Sequence, residues 1–150
     1  MRVFLFLASM MLMNGCVATG DLFDQVAEPG PKEGVAYFFR QSAGYGYASC
    51  PKLMIDGQRA GCLRNGGFIE VPFEPGQHEI WFTYHENRDK DLIVNIDIEP
   101  SKTYFYEYGT YMTDLSVIGP IMKMSGGESL AQMTKEYSIP ILLKLKDSSD

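Results

Sequence analysis

Between Leu53 and Tyr84 the chain repeats one pattern, a short apolar run followed by a turn signal. Leu53-Met-Ile is closed by Asp56-Gly57, Gln58 to Leu63 by Asn65-Gly66-Gly67, and Phe68 to Phe73 by Glu74-Pro75-Gly76. Gln77 to His85 then alternates Ile80, Phe82 and Tyr84 with Glu79, Trp81 and Thr83. Runs this short read as strands, and Asp-Gly between apolar runs is a strong signal for a two-residue hairpin turn. The stretch therefore predicts four antiparallel strands folded on one another in chain order.

The flanks extend the same reading. Val35 to Gln41 predicts a strand, and Leu92, Val94, Ile96 and Ile98 alternate with Asp91, Asn95 and Asp97 to predict another. Thr103 to Tyr111 sets Tyr104, Tyr106 and Tyr108 on one face and Phe105, Glu107 and Tyr111 on the other. A last strand is expected in Leu115 to Met124, broken at Gly119-Pro120 and ended by Gly126-Gly127. Leu130, Met133 and Tyr137 recur at helical spacing, so Glu128 to Tyr137 is expected to be a helix, stopped by Pro140. Ile141 to Leu145 then reads as a short edge strand. No helices alternate with the strands, which argues against a parallel sheet. The expected class is mainly β, an antiparallel β-sandwich with one short C-terminal helix. An aromatic content of 13% fits, because aromatic rings suit a half-buried pleated surface.

The first residues read as an address. Arg2 precedes an apolar run from Val3 to Met13, about ten residues against the ~20 that a spanning helix needs. This is the anatomy of an export signal. Met13-Asn14-Gly15-Cys16 resembles a bacterial lipobox, in which a small residue precedes a Cys that becomes the acylated N-terminus; Met13 and Asn14 depart from the usual Leu and small residue. An ordinary secretory peptide cut after Gly15 or Ala18 is the other reading. With acylation at Cys16, residues 1–15 are the signal peptide, 16–33 a lipidated tether, 34–146 the sandwich and 147–150 a loose polar tail. Within the tether, Asp21 to Ala27 forms a helical turn or Leu22 and Phe23 dock on the domain. Val17, not Asp, follows the Cys; for a Gram-negative cell, the resemblance to that group's lipoproteins implies sorting to the outer membrane, with the domain expected to face the periplasm.

Cysteine parity supports the address. The chain has three Cys, and acylating Cys16 leaves Cys50 and Cys62 as an even pair in an oxidising compartment. Both flank the Asp56-Gly57 turn, so a disulfide is expected between them. Removing Arg2 with the signal leaves 12 basic residues against 19 acidic ones. That balance excludes nucleic acid as a partner and makes the lipid, not a basic surface, the membrane contact.

The sequence carries no recognisable catalytic set. His78 and His85 lie at odd separation on one strand and its end, which points them to opposite faces. No Cys-x-x-Cys, Gly-x-Ser-x-Gly or phosphate-loop pattern occurs, and nothing calls for a metal or cofactor. The candidate partner-binding residues are Tyr45 and Tyr47, in the Gly/Tyr/Ser loop from Ser42 to Ser49, and Trp81. Tyrosines in such loops offer contact area at low entropic cost. The alternative for the loop is a slack connection whose tyrosines lie back on the sheet. Trp81 or the tyrosine strand is also a candidate platform for glycan or peptidoglycan; the other reading of the tyrosine strand is packing, with rings buried and hydroxyls wet.

The run Val35-Ala-Tyr-Phe-Phe-Arg40, then Leu53-Met-Ile-Asp-Gly57 with Gly61 and Leu63, then Gly67-Phe68, then Pro75-Gly76-Gln-His78-Glu-Ile80 resembles the domain-of-unknown-function 2846 family of bacterial lipoproteins. The match runs from Gly34 to Tyr111 and more weakly to the end. The resemblance implies a prealbumin-like or immunoglobulin-like β-sandwich on an envelope tether, and brings no catalytic residues. Cys50, Cys62 and the Tyr-Gly loop are outside the family pattern. The expectation is a non-enzymatic, lipid-anchored module that meets an envelope protein, with a glycan-binding β-domain as the alternative.

Overall fold

The structure is a computed structural model that describes residues 16–44, 46–84, 93–118 and 121–149; for 114–118 and 121–125 the backbone alone is described. The export segment, Tyr45, His85, Leu92 and Gly119-Pro120 lie outside the described residues.

The chain is a β-sandwich. Strands β1 (Gly34–Arg40), β4 (Gly67–Phe73), β7 (Thr103–Ile118), β8 (Ile121–Met133) and β9 (Lys146–Asp147) form one sheet in the order β8-β7-β1-β4-β9. Strands β2 (Lys52–Ile55), β3 (Gln58–Cys62), β5 (Gly76–Thr83) and β6 (Val94–Ile98) form the other, in the order β3-β2-β5-β6. The second sheet is wholly antiparallel, whereas the first is mixed: β1 pairs with β7 in parallel, and β4 with β9 in parallel. The antiparallel expectation is corrected there. Each parallel pair joins segments far apart in sequence, so neither needs a crossover helix of its own.

Two apolar layers explain why β1 is buried along its whole length. Ala36 and Phe38 face the inter-sheet core with Ile69, Leu53, Phe82 and Tyr106. Val35, Tyr37 and Phe39 face the outside of the same sheet, where Phe23, Phe68, Phe105, Leu142 and Leu145 complete a second core. A near-continuous apolar strand is what a sheet covered on both faces requires. Tyr37 stacks on Phe105 and Phe38 on Tyr106 at centroid separations of 5.6 and 5.3 Å, along the parallel β1–β7 pair.

What covers the outer face corrects three expectations. Most of Glu128 to Tyr137 is strand and not helix: β8 continues to Met133, and α1 (Lys135–Leu142) takes only the last three residues of that range, with the Thr134 side chain accepting from the Tyr137 N–H as its cap. Leu130 packs on the inter-sheet core and Met133 on the outer one, so an apparent helical stripe is the two faces of one strand. The winning force is the open edge of β7, whose N–H and C=O groups find partners along β8. Gly126-Gly127 does not end a strand; a Cβ on Gly127 would lie 2.5 Å from the Tyr111 hydroxyl, and the ring opposite takes that space. Pro140 sits inside α1 and Ile141-Leu142 is its last turn, not an edge strand. The carbonyl that Pro140 leaves without an α-helical N–H is that of Glu136, in the exposed first turn.

The segment expected as a tether lies against the body. The Asn65 N–H donates to the Cys16 carbonyl (3.1 Å), the Ala18 N–H to the Asn65 carbonyl (3.2 Å) and the Phe23 N–H to the Leu145 carbonyl (3.0 Å). Ala18 and Phe23 are buried, whereas Leu22 is exposed. Of the two alternatives for this segment, docking is observed, through Phe23. Of the C-terminal residues expected to be loose, Asp147 and Ser148 are held. Asp147 pairs with Phe68, and Ser148 is buried, its hydroxyl donating to the Cys62 carbonyl and accepting from the Arg64 N–H.

Candidate functional site

β1 runs toward Arg40, and β4 returns from Gly67 opposite it. The connections after Arg40 and before Gly67 therefore share one end of the sandwich, and Cys16, bonded to Asn65, lies there too. β7 is parallel to β1 and loses it as a neighbour after Glu107. From there β7 and β8 run on as a two-stranded ribbon past this same end.

Arg40 shapes the surface at that end. The alternation that sends Ala36 and Phe38 inward sends Arg40 inward as well, and it is 2% exposed. Its guanidinium donates to the Ser49 carbonyl (3.0 Å) and the Gly46 carbonyl (2.6 Å) and lies 5.9 Å from the Tyr108 ring centroid. Among the described residues no carboxylate pairs with it, and its Nε has no hydrogen-bond partner. The Tyr-Gly loop is thus pinned from beneath instead of lying slack, and Tyr47 stands out half exposed. Gly46 has a φ of +70°, and a Cβ there would press on the guanidinium at 3.3 Å. The disulfide between Cys50 and Cys62, with Cα atoms 5.5 Å apart, ties the far side of the loop to β3.

Above the pinned loop opens a groove of about 650 Å³, lined by Gly44, Gly46, Ser49, Tyr84, Thr110, Met112, Gly126, Gly127 and Glu128. Its polar edge is a chain of hydroxyls. The Tyr84 hydroxyl lies 2.7 Å from that of Tyr108 and 3.5 Å from Ser49 Oγ. Burial, then the Tyr84 hydroxyl and the Glu128 carboxylate, hold the Tyr108 hydroxyl far above the usual tyrosine range. Burial also raises Tyr84, with Glu128 adding to it against the lowering effect of Ser49 and Tyr108. Both tyrosines stay protonated at neutral pH, so they act as hydrogen-bonding groups and not as acids or bases.

The other titratable cluster lies at the opposite end. His78 Nδ1 is 2.6 Å from Asp56 Oδ2, and its Nε2 is 2.8 Å from the Glu74 carbonyl. Asp56 Oδ1 accepts from the Glu79 N–H at 2.8 Å. Asp56 and Gly57 both hold positive φ, +49° and +84°, as a type I′ hairpin turn requires. Burial acts to lower the His78 pKa, but the Asp56 hydrogen bond and the Glu74 carbonyl outweigh it and the net shift is upward. The His78 hydrogen bond, followed by the Glu79 N–H, lowers Asp56. Two acceptors on one imidazole favour the doubly protonated ring, and the cluster clamps two turns together.

The predicted site residues fall apart on this frame. Cys16 is partly buried and bonded through its backbone to the body. Cys50 and Cys62 are joined, and Tyr47 is exposed beside the groove. Trp81 is 7% exposed on the inner strand β5, which corrects its reading as a partner-binding surface. Tyr106 and Tyr108 are buried in the inter-sheet core and Tyr104 is partly buried against it, so this stretch mainly packs and its exposed tyrosine is Tyr111. Arg40 and Glu128 were missed. A lone Arg in phase with the core side of an apolar strand was the available signal for the first; nothing local marked the second. Among the described residues no group of three or more His, Cys, Asp or Glu could hold a metal ion, and no helix is long and apolar enough to cross a membrane. No family model, curated protein or solved structure matches the chain.

Proposed function

We propose that this chain is a bacterial lipoprotein of the domain-of-unknown-function 2846 type. Acyl groups on Cys16 hold the sandwich at the outer membrane, facing the periplasm, where it serves as a non-enzymatic interaction or structural module toward an envelope partner. The observation that carries the reading is the attachment of Cys16: the residue that would bear the lipid is hydrogen-bonded through its own carbonyl to Asn65 of the folded body. Cysteine parity supports it, since the two remaining cysteines are bonded to each other. The module reading is supported by the two titratable clusters, which hold structure: one clamps turns, the other edges a groove with protonated hydroxyls.

The intact mass of protein extracted from membranes, with and without reductant, tests this. A chain beginning at Cys16 and carrying acyl groups supports the anchor, and a rise of about two mass units on reduction reports the bridge. An unmodified chain beginning near Val17 or Thr19 refutes the anchor. The second reading, a glycan-binding β-domain, draws on the groove, where an apolar floor with convergent hydroxyls and a carboxylate is the usual make-up of a small-ligand site. Co-sedimentation with purified sacculus that is lost in Tyr84→Ala would favour it.

A further inference from the structure

The exposed apolar side chains are not spread evenly. Of the eight large ones among the described residues, Val17, Tyr47, Tyr84, Tyr111, Met112 and Leu143 crowd the end that holds Cys16. Leu143 belongs there because the neighbouring Lys144 and Leu145 pack beside Ser42 and Gly66. The remaining two lie along the flank, where Leu22 bridges to Lys146 and the Tyr137 hydroxyl donates to Glu107. The opposite end presents Asp56, Glu74, Glu99 and Lys102, all solvent-exposed.

We propose that the Cys16 end of the sandwich rests directly on the bilayer, so that the partner met by the Tyr47 loop, the mouth of the groove and the base of the β7–β8 ribbon is a lipid surface. The proposal rests on the reading of Cys16 as the acylated residue. Its geometric basis is the lack of slack. Val17 bridges to Asn65 and the Cys16 carbonyl is bonded to it, so acyl chains leaving Cys16 hold the surrounding surface within a few residues of the headgroups, at about 3.8 Å per residue. A flexible tether would let any face of the domain meet the membrane; a docked one selects this end.

The surface has the matching chemistry. Tyrosine is enriched at membrane interfaces because its ring sits in the apolar boundary while its hydroxyl stays among headgroups. Tyr47, Tyr84 and Tyr111 stand at this end, with Met112 and Val17 as apolar contacts. The Ser49 and Thr110 hydroxyls line the groove at the same level. The acidic balance of the chain gives no general attraction to anionic lipid, so the contact is apolar and interfacial. Farther out, past a register shift between Met112 and Asp114, the ribbon pairs on to Ile118↔Ile121. The sequence there is Leu115-Ser-Val-Ile before residues 119–120 and Ile121-Met after them. The polar Asp56 end is left facing away from the membrane.

The test uses the acylated full-length mature protein in vesicles of phosphatidylethanolamine and phosphatidylglycerol with brominated acyl chains. Single substitutions Tyr47→Trp, Met112→Trp and Glu99→Trp are compared, with buried Trp81 as the constant background. Quenching several-fold stronger at positions 47 and 112 than at 99 is expected. Equal quenching at all three, in a preparation whose mass shows acylation, overturns the orientation and leaves the anchor standing. An unacylated mass with no quenching removes both. A photo-crosslink from position 112 in intact cells that captures protein and no lipid also overturns the proposal. Should a substitution misfold, hydrogen exchange on the unsubstituted protein serves instead. Added vesicles are expected to protect the amides of residues 46–49 and 109–113 and leave 101–103 unchanged; no protection at the first two segments overturns it.

Discussion

The two ends of the sandwich are built differently. At the Asp56 end, tight turns join strands consecutive in the chain: Asp56-Gly57 closes the β2–β3 hairpin, while Glu74-Pro75 (β4 to β5) and Glu99 to Lys102 (β6 to β7) carry the chain from one sheet to the other. The first two find partners within a few residues or, as with His78 on Asp56, on the adjoining strand; the third reaches farther, Ser101 donating to the Glu33 and Gly30 carbonyls and Lys102 accepting from the Val35 N–H. At the Cys16 end, long connections are held by groups from far along the chain. Ser148 bonds to Arg64 and Cys62, Asn65 accepts from Ala43 and binds Cys16, and Arg40 pins the loop up to Ser49. The polar end is set mainly by local turn chemistry, with the N-terminal segment bonded to one of its turns, and the apolar end mainly by tertiary contacts. An end assembled from distant pieces is also where contact surfaces commonly sit, because loops there can vary while the scaffold holds them.

If that contrast is right, substitutions at the Cys16 end cost more and reach farther. Arg40→Ala removes the donor to two loop carbonyls and opens a cavity under them, and is expected to lose about 4 kcal/mol in urea unfolding. A loss below about 1 kcal/mol would break the comparison, because it would mean that the loop is held by its own local structure. Phe23→Ala is expected to cost about 3 kcal/mol and to release the N-terminal segment, read as new proteolytic cleavage before Gly34. Cleavage unchanged from the parent would show that the backbone bonds alone hold the strap. Cys50→Ser with Cys62→Ser is expected to cost at most about 3 kcal/mol for the short loop closed, and the difference from the parent should vanish in reductant.

The smallest effect belongs to the polar end. The folded pKa of His78 is raised, so its contribution is full below the ordinary histidine value and is lost as pH rises through the raised one. Asp56 is lowered, so its contribution is full above the ordinary aspartate value and is lost as pH falls through the lowered one. The clamp therefore stabilises most between about pH 4 and pH 6.5. Thermal midpoints should fall slightly from about pH 6 to pH 8, and His78→Asn should remove that slope. A slope that persists in His78→Asn would place the titrating group elsewhere.

Much of this architecture was legible because its signals are local. Period-two alternation marked β5 to β7, and Asp56-Gly57 carried the positive φ pair that its hairpin needs. The apolar run of β1 was readable as a strand, though not as the strand buried on both faces. The misreadings share one cause. Leu130, Met133 and Tyr137 satisfy a helical spacing as well as two faces of a strand and the turn beyond it. Only the open edge of β7, a strand ending about ten residues earlier, decides between them. For the site, cysteine parity pointed to the Cys50–Cys62 bridge, and the glycine-flanked tyrosines to an exposed loop. Trp81 misled because alternation tells opposite faces apart without telling which of them is covered.

By itself, the sequence determined the β class, most strand positions and the tight turns, since each depends on residues within a few positions of one another. Tertiary structure alone decided the parallel β1–β7 and β4–β9 pairs, the docking of Phe23, the burial of Arg40 and the gathering of Tyr47, Tyr84 and Met112 beside Cys16. Those outcomes depend on which distant surface offers a free strand edge or an uncovered apolar face. That is a property of the assembled sheets, and no window of neighbouring residues contains it.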